Sequence, residues 1–302
     1  MPSPCCLTPV DDSPINNRVE YDTGRIQTYF HPERLSTKFV MSFKTRLFFI
    51  LLTAGLAGVF SFLLVDLPAL VALLPAPAGV EIPQITPAIK LLSLIQPAIL
   101  LSLAVFAGVS LAHRVGLSSP AAEALASGNP VWPSLKPQIL PGIIGGLSGG
   151  FAIVVVTLLA KPFLSTETVS RIFEFGKLLP LPARLLYGGI TEELLLRWGV
   201  MTLLVWAAWR LLQRRKGEPK AAWFVGAIVI SSLVFGVGHL PVAYLILPEA
   251  TLALTLYVIV ANSIFGLIAG YLYWKKGLES AMLAHMLAHV VMLTASYFGA
   301  YY

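Results

Sequence analysis

The chain has 302 residues, of which 57% are hydrophobic and 12% charged, against roughly a quarter charged in an ordinary soluble domain. With a mean hydropathy of +0.79 and its apolar residues gathered in runs of about 20, most of the chain has lipid as its natural solvent, which excludes a soluble protein. The formal charge of +6 does not point to nucleic acid, because Lys and Arg sit between the apolar runs, where they report topology.

Residues 1–45 are polar and Pro-containing and are expected to form a disordered amino-terminal tail. Cys5 and Cys6, the only cysteines, are adjacent there and can form neither a disulfide framework nor a four-ligand metal site. No signal-peptide pattern is apparent, and Met41, ahead of Lys44, Arg46 and a long apolar run, is an alternative start.

Residues 46–302 read as one transmembrane domain, with apolar runs at Leu47–Val65, Leu91–Ala112, Ile139–Ala160, Leu179–Leu212, Ala222–Leu247, Leu252–Trp274 and Ala281–Phe298. The expected fold is an all-α polytopic helical bundle of seven helices, give or take one. Between the third and fourth runs, Lys161–Lys177 carries mixed charge and is expected to be an interfacial helix or lid. At ~1.5 Å per residue the fourth run exceeds a single ~30 Å crossing, so it should tilt, kink or split, most naturally at Gly188 and Gly189. Cationic clusters at Lys44 and Arg46, Arg114 and Lys136, Arg210 to Lys220, and Lys275 with Lys276 fall on one face. They make that face, and the amino terminus, cytoplasmic.

The fourth run contains Glu192, Glu193 and Arg197, each costing roughly 2.5–3.5 kcal/mol at the bilayer centre on insertion scales. Glu193 and Arg197 are four apart and should pair, whereas Glu192, about 100° round the helix, is free to act as a general base. A purely structural ion-pair network is the bland account of the same residues. Phe235-Gly-Val-Gly-His239 follows in the fifth run. His239 is either a packing residue or the imidazole that shares a water with Glu192 for attack on a peptide carbonyl. In the last run His285 and His289 share a face and could donate hydrogen bonds to an oxyanion. Glu192, His239, His285 and His289 also supply ligands in a number that suits zinc, although the zincin pattern His-Glu-x-x-His is absent.

Glu-Glu-x-x-x-Arg, Phe-x-x-x-His and a final His-x-x-x motif, in that order, resemble the motif set of the CPBP family, which holds type II CAAX prenyl endopeptidases and bacterial Abi proteins. The resemblance covers residues 179–291 and implies an intramembrane protease. In it Glu192 and His239 activate water, His285 and the residue at 289 stabilise the oxyanion, and Glu193, Arg197 and Phe235 give structural support. The chain departs from the family pattern at His289, where Asn is usual. A neutral imidazole still donates one hydrogen bond, and it also makes a metal site more plausible. The family is often called metalloprotease; the reading preferred here needs no cofactor, with zinc as the alternative. The implied partners are the lipid bilayer and a peptide or membrane-protein substrate, in a bacterial cytoplasmic membrane.

Three other readings compete. Gly146-Leu-Ser148-Gly149 matches a rhomboid serine motif, although the surrounding glycines read more simply as a packing face. A proton-coupled transporter would use Glu192, His239 and His285 as a relay, but no internal repeat is visible. The third is a non-catalytic membrane scaffold.

Overall fold

The computed structural model describes residues 42–74, 86–247 and 250–299; the expected tail up to Met41, with Cys5 and Cys6, lies outside them. All regular structure among the described residues is helical. Seven helices are long and apolar enough to cross a membrane: α1 (Phe43–Leu64), α2 (Pro87–Val115), α3 (Trp132–Phe163), α5 (Leu181–Leu212), α6 (Ala221–Ile246), α7 (Leu252–Lys276) and α8 (Leu278–Tyr297). Between α3 and α5 lies α4 (Thr166–Leu178). Large apolar side chains such as Phe106, Phe151 and Leu211 are exposed on the outside of the bundle. Hydrocarbon, not water, is the solvent that tolerates such a surface, and helices satisfy their backbone groups within it.

Local chemistry sets the helix ends. Ser42 opens α1 by accepting a hydrogen bond from the Thr45 N–H at 3.2 Å. Helix α3 starts at Trp132, so Lys136, expected in a loop, is helical; Pro133 sits in the first turn, where its missing N–H costs nothing. Helix α4 occupies most of the segment expected to be an interfacial helix or lid. Ser165 caps it, and its charges pair along one side, Arg171 with Glu167 at 3.0 Å and Lys177 with Glu174 at 2.9 Å.

Polar ties group the helix ends. At one end the Leu278 N–H donates to Ser118 O. There Glu279 accepts from Ser119 Oγ, Ala121 N–H and Ala122 N–H at 2.7, 2.9 and 3.0 Å, which caps the short helix Pro120–Ser127. At the other end Lys90 Nζ donates to Val65 O and Arg171 Nη1 to Leu73 O, both at 2.7 Å.

Helix α5 is the central element, packed against α1 and α2 on one side and α6 and α8 on the other. It does not split at Gly188 and Gly189. It widens instead, with π-type turns over Arg184–Glu192 and Leu194–Met201, a variation frequent at functional sites. The glycines serve close approach: a Cβ on Gly188 would sit 2.5 Å from His289 Nε2, and one on Gly189 would strike Met286. Helix α6 does break, at His239, with Pro241 in the first turn of Leu240–Ile246.

The glycine-rich face of α3 packs on α7 and α8. Cβ atoms on Gly142, Gly146 and Gly150 would meet Leu283, Leu287 and Val291, the spacing of a small-residue seam. Ser148 lies on the exposed side of α3 and its hydroxyl donates to Gly145 O at 3.2 Å, so it has no part in a serine catalytic group.

A Gly146→Leu change, whose Cβ would lie 2.6 Å from Leu287 Cβ and 2.7 Å from Ala284 O, is expected to destabilise the bundle by about 1–3 kcal/mol. Gly226→Ala, on a helix position with open space around it, should be neutral or stabilising by up to about 1 kcal/mol. Unfolding of both variants in mixed micelles checks the pair.

Candidate active site

The ionisable side chains singled out in the sequence converge where α5, α6, α7 and α8 meet. Helix α5 is held in register by Thr191, whose hydroxyl donates to Gly55 O on α1 at 2.7 Å. With Thr191 turned towards α1, the next two residues face the other helices.

Glu193 and Arg197 are completely buried and pair at 3.2 Å between Glu193 Oε1 and Arg197 Nη1. The same carboxylate oxygen lies 2.7 Å from His285 Nδ1 on α8, a contact that sequence spacing did not reveal. Arg197 reaches α7 through Nη2, which donates to Gly266 O at 3.1 Å. Its guanidinium also stands 5.0 Å from the centre of the Phe235 ring on α6, within cation–π range. One ion pair therefore touches three neighbouring helices.

Glu192 is different. Its side chain is 18% exposed where that of Glu193 is sealed, and its Oε2 lies 3.8 Å from His285 Nε2. That distance is beyond a direct hydrogen bond.

The imidazoles are oriented one by one. His239 lies 2.8 Å from the Phe235 carbonyl through Nδ1. A carbonyl only accepts, so Nδ1 carries the proton and Nε2 is left as an acceptor. The same reasoning applies to His285: with Nδ1–H given to the Glu193 carboxylate, Nε2 of the neutral ring holds a lone pair towards Glu192. The His285 and His289 rings stack at 5.0 Å. Phe235 meets both His239 and His285 edge-on, at 4.8 and 5.8 Å, and Phe265 packs on His285 at 4.4 Å. His289 Nδ1 is buried with no hydrogen-bond partner among the described residues, a costly state unless a bound molecule satisfies it.

Of the two glycines expected to let α6 approach its neighbours, Gly236 does so: its Cβ would lie 2.6 Å from Ile259 O on α7. Gly238 faces open space. Among the described residues, no group of three or more His, Cys, Asp or Glu side chains is placed to hold a metal ion. The residues present do not form the zinc site considered from sequence, and no step below passes through a metal.

The fold and the interior cluster define a polytopic helical membrane protein with ionisable groups at the centre of its bundle. Residues 174–291 match the family model described as type II CAAX prenyl endopeptidase Rce1-like. The matched stretch runs from the end of α4 to α8 and contains Glu192, Glu193, Arg197, Phe235, His239, His285 and His289. That stretch of the chain, 118 of its 302 residues, is thus similar to an Rce1-like type II CAAX prenyl endopeptidase domain. No curated protein and no solved structure matches it.

Removing one member of the sealed pair, by Glu193→Ala or Arg197→Ala, is expected to cost about 3–5 kcal/mol, because the other charge is left buried and unpaired. The double variant Glu193→Ala with Arg197→Ala should cost less than the two single changes together. Denaturant unfolding in detergent, run as a double-mutant cycle, measures both.

Proposed function

We propose that this protein is an intramembrane endopeptidase that hydrolyses peptide bonds of membrane-associated peptides or proteins by a metal-independent, glutamate-based mechanism. The observation that carries the reading is the division between two adjacent glutamates. Glu193 is locked in an ion pair that orients His285, while Glu192 is accessible and faces the Nε2 atom that this orientation leaves free.

In the proposed reaction a water held between Glu192 and His239 Nε2 attacks the scissile carbonyl carbon, and Glu192 takes its proton as general base. The tetrahedral oxyanion needs a donor. His285 in its neutral form has already given its single N–H to Glu193, so His289, stacked beside it, is the better donor. The lone pair at His285 Nε2 suits a different task, passing the proton from Glu192 to the departing amine nitrogen. Collapse of the intermediate breaks the C–N bond, and one water is consumed per new carboxyl and amine.

The packing around the cluster supports hydrolysis in a dry site. Phe235 and Phe265 wall the imidazoles, which limits stray water and strengthens each electrostatic contact. The match of residues 174–291 to the Rce1-like model supports the reading; the substrate proposed here is defined more broadly, as a peptide reaching the bundle from the bilayer.

Cleavage of a quenched fluorescent peptide library by the purified chain in detergent tests the reading. Glu192→Gln is expected to lower kcat by about 10²–10⁴-fold with unfolding unchanged. His289→Ala should cost about 10²–10³-fold, and His289→Asn, which keeps a donor, much less. Turnover should persist in a strong chelator. Turnover retained in Glu192→Gln, or abolished by chelator and restored by zinc, would overturn the mechanism.

A further inference from the structure

The loop that joins α5 to α6, residues 213–220, is built rather than slack. Gln213 uses both ends of its side-chain amide to hold it. Nε2 donates to Lys216 O at 2.6 Å and Glu218 O at 2.7 Å, while Oε1 accepts from the Lys220 N–H at 3.1 Å and from Trp223 Nε1 at 2.7 Å. Trp209 Nε1 donates to Gly217 O at 2.9 Å. The loop is therefore pinned to the last turn of α5 and the first turn of α6. The end of α7 lies beside it, because Phe224 stacks on Trp274 at 4.9 Å.

Helix α5 ends where Arg214 and Arg215 enter the left-handed region, at φ 54° and 57°, with the Arg215 N–H donating to Trp209 O at 3.0 Å. Glycine is the usual residue at such a helix end, because a Cβ strains that backbone. These are the only non-glycine residues with positive φ among the described residues. Two glycines would relieve the turn, and strain that persists in this way clusters where the side chains have a task. Both arginines are exposed.

The charge around them is unbalanced. Arg210, Arg214, Arg215, Lys216 and Lys220 come from this stretch and Lys275 with Lys276 from the end of α7, against Glu218 as the one acid of residues 210–220. None of the seven cations takes part in an ion pair among the described residues. Glu279, the next acid after Lys276, is taken up by Ser119 and the backbone of Ala121 and Ala122. This one corner thus carries as much formal charge, +6, as the whole chain. Trp209, Trp223 and Trp274 surround it, and tryptophan gathers at the depth of lipid headgroups. Leu211 and Leu212, just ahead of the arginines, are each 68% exposed.

We propose that this corner is a binding site for an anionic phospholipid, with its phosphate held by Arg214 and Arg215. Guanidinium forks match phosphate oxygens in pairs, and the lysines around them add attraction for a negatively charged leaflet. The exposed leucines and the tryptophans give the acyl chains a wall, which a free anion in water would not use. A lipid held there braces α5 against α6, the helices that carry Glu192 and His239. The proposal is independent of the reaction catalysed.

The test is quenching of tryptophan fluorescence by phospholipids with brominated acyl chains, using the full chain reconstituted in phosphatidylcholine bilayers. Brominated phosphatidylglycerol is expected to bind at least fivefold more tightly than brominated phosphatidylcholine. Arg214→Gln with Arg215→Gln should bring the preference below twofold, whereas Lys44→Gln with Arg46→Gln, which removes the same charge at the start of α1, should leave it. Arg214→Gly with Arg215→Gly should lose the preference yet raise the thermal unfolding midpoint in phosphatidylcholine, which separates loss of the site from loss of the fold. Equal binding of the two lipids by the unaltered chain would overturn the proposal. So would an equal loss of preference in the two Gln double variants, the mark of diffuse attraction. Displacement of the brominated lipid by soluble glycerol phosphate would overturn the assignment of a lipid as occupant.

Discussion

The buried pair of Glu193 and Arg197 is the constraint around which the bundle is arranged. Two full charges in an apolar interior cost several kcal/mol each in lost hydration, and their attraction repays that only when other groups complete their coordination. Here the other groups come from the neighbouring helices: His285 from α8, the Gly266 carbonyl from α7 and the Phe235 ring from α6. These contacts tie the three helices to the pair, while Glu193 Oε2 and Arg197 Nε have no hydrogen-bond partner among the described residues.

The adjacent Glu192 gains its character from that arrangement. It sits next in the chain to a residue whose position is fully determined, so its own direction is fixed without being paired to a cation. The wide turns of α5 on either side of it contribute as well. A π-type turn leaves a longer hydrogen bond per turn and shifts the face that follows, and both wide segments abut the two glutamates. Close approach of α8 at Gly188 and Gly189 then brings His285 and His289 to the same level. Rigid support beneath an accessible carboxylate is what general-base chemistry requires, because a reacting group displaced by 1 Å loses most of its advantage.

Much of this was legible in the sequence. Seven spans follow from hydropathy alone, since a run of about 20 apolar residues has few other stable forms. The i, i+4 spacing of Glu193 and Arg197 gave their pairing, and most of Lys161–Lys177 is helical, as its charge pattern suggested. What spacing within one helix could not give was contact between helices. Nothing in the local sequence says that the oxygen facing Arg197 also faces His285, 92 residues away. Gly188 and Gly189 illustrate the same limit: a glycine pair is compatible with a kink or with a close crossing, and only the partner helix decides. Lys136 was placed in a loop because it is charged and flanked by prolines, yet a Pro in the first turn is a good way to begin a helix.

The depth of the cluster also has a different measure in three dimensions. Counted along α5, Glu192 is 18 residues from Arg210, about 27 Å, which sets it far from the cationic loop at 210–220. Counted along α8, His285 is only seven residues from Leu278, about 10 Å. Yet Phe224 in the first turn of α6 stacks on Trp274 near the end of α7 at 4.9 Å, so residue counts along single helices are no guide to depth in the bundle. That start of α8 is closed: Leu278, Ala281 and Ala284 are fully buried, and Gln138 accepts from the Ser280 N–H beneath them. The opposite end of α8 borders a cavity beside α4.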